Sequence, residues 1–350
     1  MSRPDVTVII LHPESAASAG PLTRALGAAR RRLAETHRRG FLAAGAGTVE
    51  IVSDPSVGVS FGARLRSLVA GPVDGGLVIL GSGSIPLARQ ADRRAFVEAA
   101  SSGTAGALAN NRYSADIVAV ARAREVLADV PDIASDNALP RWLWESAGVR
   151  VDDLRGRWRL AIDIDSPLDL AVLGGRWRSD IPVDASGPVI ERMTALRRLA
   201  SDPAAELIVA GRSSGATLTW LERHTAGRIR ALVEERGLRT SHIGQRPAAS
   251  ALGLLLERDR PGSLGQHLAR LGDGALLDSR VLLAHRFGVD ETSWPVPEDR
   301  YASDLLLHDR ITDPWLRDLT RAAADASIPV ILGGHTLVGP GARLLLGRSR

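Results

Sequence analysis

The residues best suited to chemistry are the aspartates of Ile162-Asp163-Ile164-Asp165-Ser166-Pro167-Leu168-Asp169-Leu170. Asp163 and Asp165 are two apart on a segment whose apolar neighbours mark it as extended, so their side chains share one face. Ser166 and Pro167 then stop the strand and open a helix, proline being suited to a first turn. Two carboxylates on one face repel unless positive charge lies between them. A hard cation, Mg²⁺ or Mn²⁺, is the natural candidate. The alternative is that one aspartate caps the helix and the other is solvated.

Other groupings are less specific. Val209-Ala210-Gly211-Arg212-Ser213-Ser214-Gly215-Ala216 reads as strand, glycine-rich turn and helix. Backbone N–H groups there could cradle a phosphate, or the turn could simply be tight, since neither a Walker A loop nor a full dinucleotide fingerprint is present. Asn110-Asn111-Arg112-Tyr113-Ser114 is a polar loop after a strand. Arg300-Tyr301-Ala302-Ser303-Asp304 and Gly333-Gly334-His335-Thr336 also have the composition of site loops. His224, His285, His308 and His335 lack metal-ligand spacing and read as structural. Ser213 or Ser303 could join His335 in a hydrolytic triad, but no nucleophile-elbow sequence supports one. Trp142 and Trp144 alternate in a helical stretch, so they cannot share a face, and at least one belongs in the core.

Composition removes whole classes of mechanism. With no cysteine, disulfides, thiolate metal sites and thiol nucleophiles are excluded. There is no lysine either, so all 44 basic residues are arginine. Schiff-base chemistry and a phosphate-binding lysine are thereby ruled out, and phosphate must be met by arginine, backbone N–H groups or metal. The isoelectric point of 10.5 reflects arginine's high pKa more than a charge excess, the formal net charge being only +4. Those basic residues are dispersed among acids, which argues against a nucleic-acid partner. No apolar run approaches the ~20 residues needed to span a bilayer. The start, Met1-Ser2-Arg3-Pro4-Asp5, leads into an apolar segment too short for a secretory signal, and a cytoplasmic protein without a membrane partner is expected.

The elements that must position these residues alternate between strand and helix. Continuous apolar runs predict strands at 6–11, 49–52, 77–80, 105–108, 116–120 and 160–162. Helices are predicted at 30–44, 64–69, 89–100, 121–128 and 139–147, the first carrying Leu33, His37, Phe41 and Leu42 at helical spacing. The expected fold is α/β, with a doubly wound, mostly parallel sheet whose ligands sit beyond the strands' carboxyl ends. A break at 174–187 separates a first domain, 1–175, from a second α/β region, 188–350. There the pattern predicts helices at 189–199, 216–236, 264–271 and 315–326, and strands at 207–210, 252–256 and 330–332. The runs 281–283 and 305–307 read as strand-like or buried.

Over about residues 5–173 the sequence resembles the GT-A-type nucleotidyltransferases, and most closely the 2-phospholactate (or phosphoenolpyruvate) guanylyltransferase family. Residues 163–170 resemble that family's closing Asp-(hydrophobic)-Asp-(Thr/Ser)-Pro-x-Asp-Leu motif. Ala29-Arg30-Arg31-Arg32-Leu33-Ala34 is similar to its early Ala-Lys-Ser-Arg-Leu-Ala segment, with Arg30 in the lysine's place. Ser60-Phe61-Gly62-Ala63-Arg64-Leu65 sits where the family has a nucleotide-contacting turn. Leu80-Gly81-Ser82-Gly83-Ser84-Ile85-Pro86-Leu87 corresponds to its Ala-Asp-(Leu/Ile)-Pro-Leu turn.

The resemblance implies a nucleoside triphosphate, GTP first, held by Arg30 and Arg32 and contacted by Ser60, Gly62 and Ser84. Mg²⁺ would lie at Asp163 and Asp165. A small phosphorylated acceptor, met by Asn111 and Arg112, would attack the α-phosphorus and release pyrophosphate. One departure matters: the turn aspartate of the family is Ser84 here, a neutral and weak ligand. Asp54 or Asp116 could supply the missing acid. Alternatively, the domain is a degenerate transferase scaffold that binds a nucleotide or metabolite in a regulatory role.

Overall fold

The computed structural model describes residues 5–53, 59–71, 73, 75–133, 136–235 and 247–347. The chain divides into two compact units, Met1–Ser15 with Gly27–Asp163, and Ala16–Leu26 with Ile164–Arg350.

Unit 1 is built on strands β1 (Val6–Leu11), β2 (Thr48–Val52), β3 (Gly76–Gly81), β4 (Gly106–Ala109), β5 (Ile117–Ala121) and β6 (Val151–Asp153). Its helices are α1 (Pro21–Ala43), whose first residues group with unit 2, α2 (Phe61–Ala70), α3 (Gln90–Ala100), α4 (Ala123–Val126) and α5 (Leu139–Glu145). The strand order is β2-β1-β3-β5-β4-β6, with β5 antiparallel to both neighbours and the other pairings parallel. The sheet is therefore mixed but mostly parallel, as expected, with β5 alone running against the other five strands. The cause is the loop 110–116 between β4 and β5: a parallel return needs a crossover of about a dozen residues or more, and this loop is too short.

The central strands are apolar throughout because both faces are covered. On one face Ile9, Leu77 and Ile79 pack with Leu65 and Val69 of α2. On the other, Val8, Ile10, Val78 and Leu80 pack with Phe41 of α1 and Phe96 of α3. Helix α1 begins earlier than the spacing predicted, with Pro21 at its first position, and stops before Gly45, whose φ of +99° is the left-handed conformation that ends a helix. Leu42, expected on its apolar face, is exposed. The strand expected at 160–162 is instead a 3-10 turn, Trp158–Ala161.

Unit 2 contains α6 (Pro167–Leu173), α7 (Val183–Leu199), β7 (Glu206–Gly211), α8 (Gly215–His224), β8 (Arg228–Val233), α9 (Ala251–Asp259) and α10 (Leu264–Ala269). It continues through β9 (Gly274–Asp278), α11 (Ser279–Phe287), α12 (Pro297–Asp304), α13 (Pro314–Ala324), β10 (Val330–Gly333), α14 (His335–Val338) and α15 (Gly341–Leu346). Its four strands are all parallel, in the order β10-β9-β7-β8. The helix expected over 216–236 ends at His224, and the period-two pattern Arg228-Ile229-Arg230 belongs to β8. Residues 252–256, expected as a strand, lie in α9, whose N-cap Ser250 accepts from Gly253 N–H at 3.2 Å. An apolar run of that length does not by itself separate a strand from a buried helix. For the same reason 281–283 fall in α11 and not in a strand. Among the described residues, no helix is long and apolar enough to cross a membrane.

Candidate functional site

In unit 1, β1 and β3 run side by side with Leu11 opposite Gly81, so their carboxyl ends open on one edge. His12 extends the ladder by donating its main-chain N–H to Val52 O at 3.0 Å, and Ser82 N–H donates to Leu11 O at 2.8 Å. The His12 ring places Nδ1 3.0 Å from Ser82 Oγ. Burial, then the positive charges of Arg31 and Arg30, hold this imidazole below its ordinary pKa. The negative charge of Glu14 acts in the opposite sense, more weakly than the two guanidiniums. At this edge a slot of about 10 Å³, room for one water, opens between Leu11, Phe61, Leu80, Ala115, Asp116 and Asp136.

The turn after β3 is pinned from two sides. Ser84 is buried and forms an isolated antiparallel bridge with Asp163, and Ile85 N–H donates to Ile162 O at 3.1 Å. The turn and the closing motif's first aspartate, far apart in sequence, are thus neighbours. Ile85 has a φ of +47°, a left-handed conformation that costs a β-branched residue on the order of 1–3 kcal/mol. His37 of α1 lies beneath: its Nε2 is 2.9 Å from Ser84 O, and Arg93 Nη2 is 3.3 Å from its Nδ1. A carbonyl can only accept and a guanidinium can only donate, so the proton sits on Nε2 and the ring is neutral. Burial, followed by the charge of Arg93, lowers the His37 pKa to about 3.

The remaining sequence-predicted residues fall in different places. Arg30 is half-buried and Arg32 exposed on α1, and it is Arg31, not anticipated, that joins Arg30 near His12. Ser60 caps α2, accepting from Ala63 N–H at 3.1 Å, and donates to Asp132 at 3.1 Å. Gly62 N–H donates to Ile133 O at 3.1 Å, and a Cβ at Gly62 would stand 1.8 Å from Pro131 O. Both therefore dock the segment 130–133 onto α2, a structural duty. Asn111 Oδ1 accepts from Tyr113 N–H at 3.1 Å, shaping the loop. Arg112 lies 3.9 Å from Asp153 and over the rings of Tyr113 and Trp144. Asp116 accepts from Asn110 at 2.8 Å and lines the slot, whereas Asp54 lies outside the described residues.

The boundary between units falls directly after Asp163, so Asp165 belongs to unit 2. Neither of the two caps α6. Ser166 is the N-cap, and Asp169 accepts from Asp165 N–H at 2.9 Å and Ser166 N–H at 2.7 Å. Burial, then the nearby charge of Asp165, pushes the Asp169 carboxyl up to about 7. Asp165 itself is partly exposed, with His335 Nδ1 4.0 Å away.

At the carboxyl ends of β7 and β9, Arg212 clasps Asp278 at 2.6 and 3.0 Å. Gly211 makes this possible: its φ is +121°, and a Cβ would stand 2.3 Å from that of Asp278. With its charge already matched, Arg212 is poorly suited to a phosphate. Arg280 and Asp304 form a second buried, two-pronged pair. Ser213 Oγ donates to Val338 O at 2.7 Å and Ser303 Oγ is 2.7 Å from Thr320 Oγ1, so neither serine is presented as a nucleophile.

The implied Mg²⁺ meets a thin donor set. Among the described residues, no three His, Asp or Glu side chains are grouped to hold a metal. Asp163, bridged through its main chain to Ser84, offers unit 1 one carboxylate. A single carboxylate falls short of a dedicated protein cage for a divalent ion.

No family model and no curated protein matches the chain. Among solved structures, the crystal structure of Rv0371c from Mycobacterium tuberculosis H37Rv matches at 19% identity, covering 43% of this chain and 88% of that one, with a TM-score of 0.26. A likeness that slight bears on neither activity nor ligand.

Proposed function

We propose that unit 1 binds a nucleoside triphosphate at the carboxyl ends of β1 and β3 and transfers its nucleotidyl group to a small phosphorylated acceptor in the cytosol. The observation that carries this reading is the convergence of Arg30 and Arg31 on His12 beside the slot, with Asp163 bridged to the turn after β3. In phosphoryl-type transfer the protein mostly positions reactants and neutralises charge. Arg30 and Arg31 would neutralise the phosphates, while His12, neutral and hydrogen-bonded to Ser82, keeps a ring nitrogen available to a phosphate oxygen. When bound with the nucleotide, a divalent cation supplies further neutralisation at Asp163. The Ser84–Asp163 bridge would hold the main chain of Asp163 at the turn after β3 while the acceptor's oxygen approaches the α-phosphorus and pyrophosphate leaves.

A thermal-shift titration with GTP, CTP, ATP and UTP, each with and without Mg²⁺ or Mn²⁺, tests the reading. A ligand at about 100 times its Kd stabilises a fold by about 2.7 kcal/mol. A metal-dependent rise for one nucleotide, weakened in Arg30→Ala and Arg31→Ala, is expected. No rise for any nucleotide would sink it.

Ser84 itself favours a second reading, the degenerate scaffold, because the residue bridged to Asp163 is neutral where the resemblance expects an acid. Ser84→Asp separates the two. If the natural protein binds Mg²⁺–nucleotide as tightly as the variant, the scaffold is not degenerate. If only the variant binds, it is.

A further inference from the structure

Three segments of unit 1 bring together an exposed ladder of alternating cations and rings. The loop after β4 supplies Arg112 and Tyr113, the last turn of α5 supplies Trp144, and the loop after β6 supplies Arg155. The Arg112 guanidinium lies 5.1 Å from the Tyr113 ring centroid and 5.3 Å from that of Trp144, and the Arg155 guanidinium lies 5.3 Å from Tyr113. Asp153 holds both cations, at 2.7 Å from Arg155 and 3.9 Å from Arg112. The ladder is anchored from below, since Leu139 and Leu143 of α5 are fully buried in the core. Yet Tyr113 and Trp144 are 51% and 50% exposed.

We propose that this ladder is a binding site for a planar heteroaromatic ring carrying a phosphate or carboxylate, and that the acceptor of the transfer proposed above has this chemistry. The second clause rests on that proposal; the first does not. A large ring left half in water on a fixed backbone offers a face at little ordering cost. Guanidiniums held against rings extend the π surface, and a guanidinium can meet an anion in two-pronged fashion; within the ladder Arg112 also donates from Nη2 to the Tyr113 hydroxyl at 3.2 Å. Two guanidiniums against the single Asp153 carboxylate leave the site one positive charge in excess. An aliphatic phospho-acid would use the arginines and leave both rings idle. The ladder also shares its loop with the small slot at the carboxyl end of β1: Arg112 and Tyr113 stand in the former, and Ala115 and Asp116 line the latter. Asn111 fixes the near end of that loop, and Ser114, donating to Asn137 at 3.0 Å, fixes the far end.

The test is a fluorescence titration with flavin mononucleotide, which carries both ring and phosphate and whose emission is quenched on stacking against tryptophan. Riboflavin, glycerol 3-phosphate and an oligothymidylate are the comparison probes. Flavin mononucleotide is expected to bind, with Trp144→Ala and Arg112→Ala each weakening it about ten-fold or more, the scale of one ring stack. Trp144→Phe, which keeps a ring, should restore most of the loss. Riboflavin should bind more weakly, and glycerol 3-phosphate should fail to compete. Equal competition by glycerol 3-phosphate, unchanged affinity in Trp144→Ala, or no saturation by flavin mononucleotide overturns the site. Tighter binding of oligothymidylate overturns the small-molecule assignment in favour of a nucleic-acid surface. The nucleotide thermal shift of the unsubstituted protein reads the slot separately. Ring binding without any nucleotide shift refutes the acceptor role alone, and a nucleotide shift without ring binding refutes the ladder alone.

Discussion

Acidification should destabilise unit 1 through one side chain, His37. In the folded protein its ring is fully buried, donates from Nε2 to Ser84 O at 2.9 Å and faces the Arg93 guanidinium across Nδ1. Burial penalises a charged ring, and protonating Nδ1 would also turn that acceptor into a donor against a cation, so the folded pKa falls to about 3 from 6.5. Because the folded pKa is the lower one, the unfolded chain binds more protons below about pH 6.5, and stability rises with pH. The stabilisation from a neutral His37 is whole above the unfolded value and is lost as pH falls from about 6.5 towards 3. At about 1.4 kcal/mol per unit, moving from about pH 7.5 to about pH 5 costs about 2 kcal/mol. For a unit of this size that is about 4–8 °C in unfolding temperature. His37→Gln is the control, because its amide still donates to Ser84 O and does not titrate. Differential scanning calorimetry at the two pH values should show the natural protein losing those degrees relative to the variant. The depressed pKa of His12 acts in the same direction but cancels in the comparison. Equal pH sensitivity in both proteins would refute the neutral, Nε2-protonated assignment, as would an NMR titration showing the His37 ring charging near pH 6.

Two predictions concern unit 2. Asp304→Asn strands the buried Arg280 guanidinium, and removing one partner of such a pair costs about 3–5 kcal/mol; urea unfolding that shows less than about 1 kcal/mol of loss would contradict the pairing. Glu298 accepts from Leu22 N–H at 2.9 Å, Thr23 N–H at 3.0 Å and the Thr23 hydroxyl at 2.8 Å, serving the first turn of α1 as a remote cap. Glu298→Ala should therefore cost about 1–2 kcal/mol and speed hydrogen exchange at the Leu22 and Thr23 amides, whereas unchanged exchange would show the cap to be idle.

Much of the scaffold was legible in the sequence because it depends on local patterns. Runs such as Val6-Thr7-Val8-Ile9-Ile10-Leu11 can be little other than strands covered on both faces, and Gly45 ends its helix for a reason internal to glycine. The two tryptophans two apart had to diverge, and they do: Trp142 packs against the core while Trp144 stands in solvent. Legibility failed where a short apolar run suits either element, as at 252–256, and β9 was not anticipated either.

Site residues divide in the same way. Motif order led to Ser84 and Asp163 as partners, and the bridge joins them. Ser60 and Gly62 belong to the same turn but are occupied by segment 130–133, which no local pattern announces. Arg112 and the loop holding Tyr113 were singled out from the sequence, but His12, Arg31, Arg155 and the pairing with Trp144 were not, because their meaning lies in proximity between distant segments. By itself, then, the sequence determined which segments are strongly apolar, which mechanisms composition forbids, and that no lysine is available to meet an anion. Only the tertiary structure decided which arginines converge, which carboxylates are already matched, and which rings face water, since pairing and burial are properties of neighbours that chain order does not contain.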